Sequence, residues 1–104
     1  MATTRFSRPV EIPDDLGDVS VAPVTGRVTL PLHVAWSGQG DYDMSNEDQL
    51  RSVYELVMTE GTEDDVLHYI DLNQLLDVWE DLWLSPHVRE RWTAWLRGRG
   101  LLPE

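Results

Sequence analysis

From Arg27 onward apolar and polar side chains alternate. Val28, Leu30, Leu32, Val34 and Trp36 fall on one row, and Arg27, Thr29, Pro31, His33 and Ala35 on the other. A two-residue period marks a half-buried strand, because successive side chains of a pleated chain point to opposite faces. Pro31, on the outer row, has no backbone donor, so the strand belongs at a sheet edge. Val19 and Val21, followed by Thr25-Gly26, offer a hairpin partner, and the glycines of Trp36-Ser37-Gly38-Gln39-Gly40 end the run. Upstream, Pro9, Pro13, Pro23 and then Pro31 come too often for a helix, since each removes a donor and biases its predecessor toward extended backbone.

Beyond residue 40 the period lengthens to that of a helix. Ser45 with Asp48 three residues on reads as a capping-box start, and Leu50, Val53, Tyr54, Val57 and Met58 follow at helical spacing until Gly61. Thr62 with Asp65 opens a second, shorter helix carrying Val66, Leu67, Tyr69 and Ile70. Asp71 caps a third, in which Leu72, Leu75, Leu76, Trp79, Leu82 and Trp83 form one apolar stripe. Ser85-Pro86 starts a fourth, with Val88, Trp92, Trp95 and Leu96 and an end at Gly98 or Gly100. The pattern predicts a mainly α (α+β) fold: a small bundle of about four short helices preceded by a Pro-rich extended arm with one edge strand or hairpin. It divides the chain into an extended or partly disordered arm (1–26), a strand and Gly-containing loop (27–40) and a helical domain (41–104).

Composition narrows the picture. A chain of 104 residues, 41% hydrophobic, suits one small domain with a packed core and excludes a large enzyme with a cleft between two domains. The absence of Cys removes disulfides, thiolate metal sites and a cysteine nucleophile, and suggests a reducing, cytoplasmic setting. The sequence shows no signal-peptide pattern and no apolar run of bilayer length. All eight basic residues are Arg, and the formal charge of −11 repels phosphates, so coating of nucleic acid is disfavoured.

The charge is also unevenly placed. Residues 41–84 hold thirteen acids against Arg51 alone, for −12, while residues 85–104 sum to +2 and residues 1–40 to −1. Glu47, Asp48, Glu63, Asp64, Asp65 and Asp71 sit at caps or first turns, where the helix dipole favours carboxylates, and Arg51 can pair along its helix with Glu47 and Glu55. Asp41, Asp43, Glu55, Glu60, Asp77, Glu80 and Asp81 are left without a local helical reason.

Catalytic and metal chemistry find little support. Asp41-Tyr42-Asp43 resembles the start of a calcium loop, but the sixth position is Asn46 where Gly is needed, and the twelfth is Ser52 where a bidentate Glu should close the site. His33, His68 and His87 lie on separate elements without zinc spacing. His68 beside Asp64, Asp65 or Asp71 is the one acid/base arrangement the sequence offers, set against a solvated surface histidine. Neither a Gly-x-Ser-x-Gly elbow nor a phosphate loop occurs, so the sequence favours a non-enzymatic protein without a cofactor. Trp79, Trp83, Trp92 and Trp95 leave two readings open: a mutually packed aromatic core, or a core with one ring exposed as a docking surface.

The segments Leu30-Pro31-Leu32-His33-Val34-Ala35-Trp36-Ser37-Gly38, Tyr42-Asp43, Val53-Tyr54-Glu55, Glu60-Gly61-Thr62-Glu63-Asp64-Asp65-Val66 and Trp92-Thr93-Ala94-Trp95-Leu96 together resemble small actinobacterial proteins associated with AbiE-type nucleotidyltransferase-like toxins. The resemblance spans about residues 28–97 and implies an antitoxin whose partner is such a toxin. It carries no catalytic signature and transfers no functional residue.

The expectation is therefore an antitoxin or inhibitor that neutralises a protein partner with a basic nucleotide- or RNA-binding site. Its candidate contact residues are Trp36, Asp41, Asp43, Glu60, Glu63, Asp64, Asp65, Asp77, Glu80 and Asp81. Two alternatives stand beside it. One is a helix-turn-helix regulator using Arg89, Arg91 and Arg97 of the last helix on phosphates, and the other a small structural or phage-type adaptor.

Overall fold

A computed structural model of the chain describes residues 10–16, 26–34 and 40–102. A short ladder, β1 (Arg27–Thr29) and β2 (Asp41–Asp43), precedes helices α1 (Glu47–Glu60), α2 (Glu63–Tyr69) and α3 (Leu72–Val78). A 3₁₀ turn (Trp79–Asp81) then leads to the last helix, α4 (Pro86–Gly98). The fold is mainly α with a small antiparallel sheet.

Local sequence accounts for the helix boundaries. Asn46 caps α1 by accepting the Gln49 N–H at 3.1 Å, one residue later than the Ser45 start expected from the sequence. Ser45 is instead held by Asp43, whose Oδ1 accepts its N–H at 3.0 Å and its hydroxyl at 2.6 Å, so the serine belongs to the turn before the helix. Thr62 and Asp65 form a reciprocal capping box on α2, and Asp71 caps α3 through the Gln74 N–H at 3.3 Å. Pro86 occupies the first turn of α4, where its missing donor costs nothing.

Gly61, between α1 and α2, is required by a close approach rather than by its dihedral angles. A Cβ there would stand 2.6 Å from the Val57 carbonyl oxygen and 3.0 Å from the Asp65 Cβ. Gly26, which leads into β1, has φ 73°, the left-handed region that glycine tolerates best.

The core is built from the faces that the helical spacing marked. Leu50, Val53, Tyr54, Val57 and Met58 of α1 are buried with Val66 and Ile70, Leu75 and Val78, Leu82 and Leu84, and Val88, Trp92 and Leu96. Burying an aliphatic side chain of this kind contributes roughly 1.5–3 kcal/mol. Val10 and Leu16 join the same core, so part of the N-terminal region packs on the helices. Tyr54 is a polar rivet inside this layer. Its hydroxyl accepts the Asp71 N–H at 3.0 Å and donates to Gln74 Oε1 at 3.1 Å, tying the middle of α1 to the start of α3. Burial pushes the phenol up to about 12, with the Asp71 carboxylate adding to the rise and the Asp71 N–H opposing it.

The sheet differs from the expectation in two respects. The strand read from Arg27 through Trp36 ends at Thr29: residues 32–34 form a turn in which the Val34 N–H donates to the Pro31 carbonyl at 3.0 Å. Val28, Leu30 and Val34 are buried as the alternation required, but Leu32 is 81% exposed because the turn rotates it off the row. The partner of β1 is β2, within the stretch first compared with a calcium loop, and Val28 faces Tyr42 on the buried side of the ladder. Val19, Val21 and Trp36 lie outside the described residues.

The helical stripe proposed for Leu72 to Trp83 also breaks. Once the 3₁₀ turn ends at Asp81, Leu82 adopts extended backbone (φ −73°, ψ 134°) and the side-chain period changes to two. Leu82 and Leu84 therefore point inward, and Trp83 between them points out, 81% exposed.

Candidate functional site

The tryptophans divide accordingly. Trp79 and Trp92 are buried, Trp95 is half-buried with its ring 6.0 Å from that of Trp92, and Trp83 stands in solvent. The chain beside Trp83 is nonetheless firmly held. Its N–H donates to Glu55 Oε2 at 2.7 Å, an Arg89 guanidinium N–H donates to the Leu82 carbonyl, and the flanking leucines are buried. The backbone that carries the exposed indole is thus held in place. Trp83 lines a groove of about 400 Å³ together with Tyr42, Ser52, Glu55, Leu56 and Glu60. Sequence reasoning did not place Trp83 among the contact residues, and the signal that finds it is local: Leu-Trp-Leu directly before Ser85-Pro86, where the helical period has already stopped.

The candidate acids fall into three groups. The first has work inside the fold. Asp41 accepts the Thr29 hydroxyl at 2.8 Å across the ladder. The Ser45 hydroxyl and N–H hold the Asp43 carboxyl below the usual carboxylate range, outweighing its partial desolvation, with a smaller contribution from Arg27. Asp65 accepts the Thr62 N–H at 2.9 Å and lies 2.6 Å from His33 Nε2. Burial pushes its carboxyl up, but the Thr62 N–H, His33 and the Thr62 hydroxyl together hold it below its ordinary value. The imidazole that reaches this carboxylate is therefore His33, on the turn after β1; His68 is exposed with its ring edge-on to Tyr69 at 4.6 Å.

Glu63 and Asp64 form the second group, exposed in the first turn of α2, where they favour the helix dipole. The Glu63 N–H donates to Glu11 Oε1 at 3.3 Å, so the segment around residues 10–16 reaches this corner. Glu63 also lines a second cavity of about 500 Å³ with Glu11, Asp14, Ile12, Arg91 and Trp95.

The third group is Asp77, Glu80 and Asp81. All are exposed, and none has an ion pair or side-chain hydrogen bond among the described residues. Asp77 lies in α3, and Glu80 and Asp81 lie in the 3₁₀ turn that ends two residues before Trp83. Glu60 lies on the groove itself. The acidic surplus that helix chemistry left unexplained thus contracts mainly to Asp77, Glu80 and Asp81, an exposed acidic ridge along the chain two to six residues before the exposed tryptophan.

Arg51 and Arg89 are already engaged. Arg51 bonds Glu47 at 2.8 Å and also reaches Asp48, while Glu55 is committed to Trp83 rather than to Arg51. Arg89 lies over the Trp79 ring at 4.9 Å in addition to its bond to Leu82, and Arg91 lines the second cavity. One of the three arginines suggested for phosphates, Arg89, therefore serves the protein's own surface.

Among the described residues no group of three or more His, Asp or Glu side chains is arranged to hold a metal ion, and no helix is long and apolar enough to cross a membrane. No protein-family model, curated protein or solved structure matches the chain.

Proposed function

We propose that this protein is a non-enzymatic binding module whose acidic ridge and exposed Trp83 engage a protein partner at a basic nucleotide- or RNA-binding site, as an inhibitor or antitoxin does. The observation that carries the reading is that Asp77, Glu80 and Asp81, exposed and without ion pairs among the described residues, precede by two to six positions a tryptophan that is 81% exposed. Exposed acids speed encounter with a basic surface and exclude its anionic ligand, while a rigid indole supplies contact area at little entropic cost. A protein that used this surface on nucleic acid directly would set carboxylates against phosphates. The resemblance to antitoxins of AbiE-type toxins points the same way and suggests a nucleotidyltransferase-like partner and a cytoplasmic setting.

The test is capture of partners from the native host by the full chain, with Asp77→Lys/Glu80→Lys/Asp81→Lys captured in parallel. These positions suit charge reversal better than Glu63, Asp64 and Asp65, since changing Asp65 would also dismantle the α2 capping box. The reading expects a basic protein that wild type retains, that added RNA or nucleotide displaces, and that the triple variant loses. Equal retention by both proteins, or indifference to polyanion, would contradict it.

A further inference from the structure

We infer that the groove beside Trp83 receives an arginine side chain of the protein partner, its guanidinium stacked on the indole and directed toward the carboxylates of Glu55 and Glu60. The inference rests on the binding-module reading above and specifies its contact chemistry. Three observations lead to it.

The first is shape and polarity. Tyr42, Leu56 and Trp83 give the groove apolar surface, and Glu55 and Glu60 give it negative charge. That combination suits a side chain with an aliphatic stem and a cationic head. Glu55 already accepts the Trp83 N–H, but a carboxylate has acceptor sites for several donors, so it can take a guanidinium N–H as well.

The second is the protein's own use of its tryptophans. An Arg89 guanidinium sits over Trp79 at 4.9 Å and an Arg99 guanidinium over Trp95 at 4.7 Å. Trp83, the most exposed of the described tryptophans, has no cation over its ring among the described residues. The third is the local charge. Among residues 41 to 84 the one arginine is Arg51, and it is bonded to Glu47 and Asp48 rather than directed at Trp83. Arginine fits better than lysine, because its planar head can stack on a ring while its edge donates to carboxylates.

The full chain, labelled with ¹⁵N, is titrated with a blocked Gly-Arg-Gly-Arg-Gly peptide and with its lysine and citrulline counterparts. The indole N–H resonance of Trp83 is assigned by its disappearance in Trp83→Ala. The arginine peptide should shift that resonance and bind about fivefold more tightly than the lysine peptide, a margin set by an exposed cation–π contact and a planar fork. Citrulline, which is uncharged, should not bind. Trp83→Ala should reduce arginine-peptide affinity to the lysine level, and Glu55→Gln should weaken both cationic peptides. If arginine and lysine peptides bind equally and the Trp83 resonance stays still, the inference is overturned while the acidic-surface reading survives. If neither cationic peptide perturbs any resonance, both are overturned. A Trp83 shift that follows protein concentration alone would make the occupant a second copy of the chain and overturn the inference.

Discussion

Tyr54→Phe removes one oxygen atom from the centre of the protein, and its effect follows from the contacts of that atom. The hydroxyl accepts the Asp71 N–H and donates to Gln74 Oε1, so the change breaks two hydrogen bonds between α1 and the start of α3. Half-buried Gln74 can turn toward water, but the Asp71 N–H keeps no replacement acceptor in this arrangement. Each net hydrogen bond contributes about 0.5–1.5 kcal/mol and a stranded buried donor costs about 1–3 kcal/mol, so the expected loss is about 2 kcal/mol. In a domain of this size that lowers Tm by roughly 10 °C.

Urea unfolding at pH 7, followed by circular dichroism, should show a lower midpoint at unchanged slope. A second signature lies at high pH. The phenol ionises near 10 in the unfolded chain and near 12 in the folded one, so the folded state binds more protons between those values. Stability is therefore complete below pH 10 and declines as pH rises toward 12, by at most about 3 kcal/mol. Tyr54→Phe should lack this component, so the two stability curves converge with rising pH. A variant within about 0.5 kcal/mol of wild type at pH 7, or curves that stay parallel from pH 9 to 12, would refute the assignment.

Other substitutions test separate parts of the account. Gly61→Ala should destabilise by about 1–3 kcal/mol through its clash with the Val57 carbonyl, read as a lower urea midpoint, and an unchanged midpoint would show that the α1–α2 junction has room to relax. Asp65→Asn removes a carboxyl held below its usual value by the capping box and His33. The stability this carboxylate contributes is present above pH 4 and disappears as pH falls below it, so the variant should be weaker than wild type at pH 6 and approach it near pH 3 in parallel unfolding curves. Trp92→Ala should cost about 3–5 kcal/mol, whereas Trp83→Ala should stay within about 0.5 kcal/mol of wild type in thermal melts. A comparable loss in both would place Trp83 in the core.

What the sequence made legible was periodic. The apolar face of α1 repeats every three or four residues, the Thr62–Asp65 box, the Asp71 cap and the Ser85-Pro86 start each lie within one turn, and all appear at or beside their expected places. The failures occur where the period changes. Alternation through Val34 suggested one strand, but Pro31 gives way to a turn that turns Leu32 outward, and the ladder closes on Asp41–Asp43 instead. Trp83 fits a helical stripe by spacing, yet the helix has already given way to extended backbone, so the stripe stops short of it and, of the two readings open for the tryptophans, the exposed ring applies to Trp83. Charge counting identified the acid-rich middle, but not that Asp41, Asp43, Glu55 and Asp65 are engaged by Thr29, Ser45, the Trp83 backbone and the α2 cap. Those are pairings between side chains and backbone of different elements, and single-sequence periodicity carries no record of them.

The most direct test of the central claim is the salt dependence of affinity between the captured partner and the full chain, measured for wild type and for Asp77→Lys/Glu80→Lys/Asp81→Lys. If the acidic ridge is the docking surface, wild-type affinity falls steeply as salt rises, and the triple variant binds about tenfold more weakly or worse at low salt with a flattened slope. Equal affinities and equal slopes would contradict the claim.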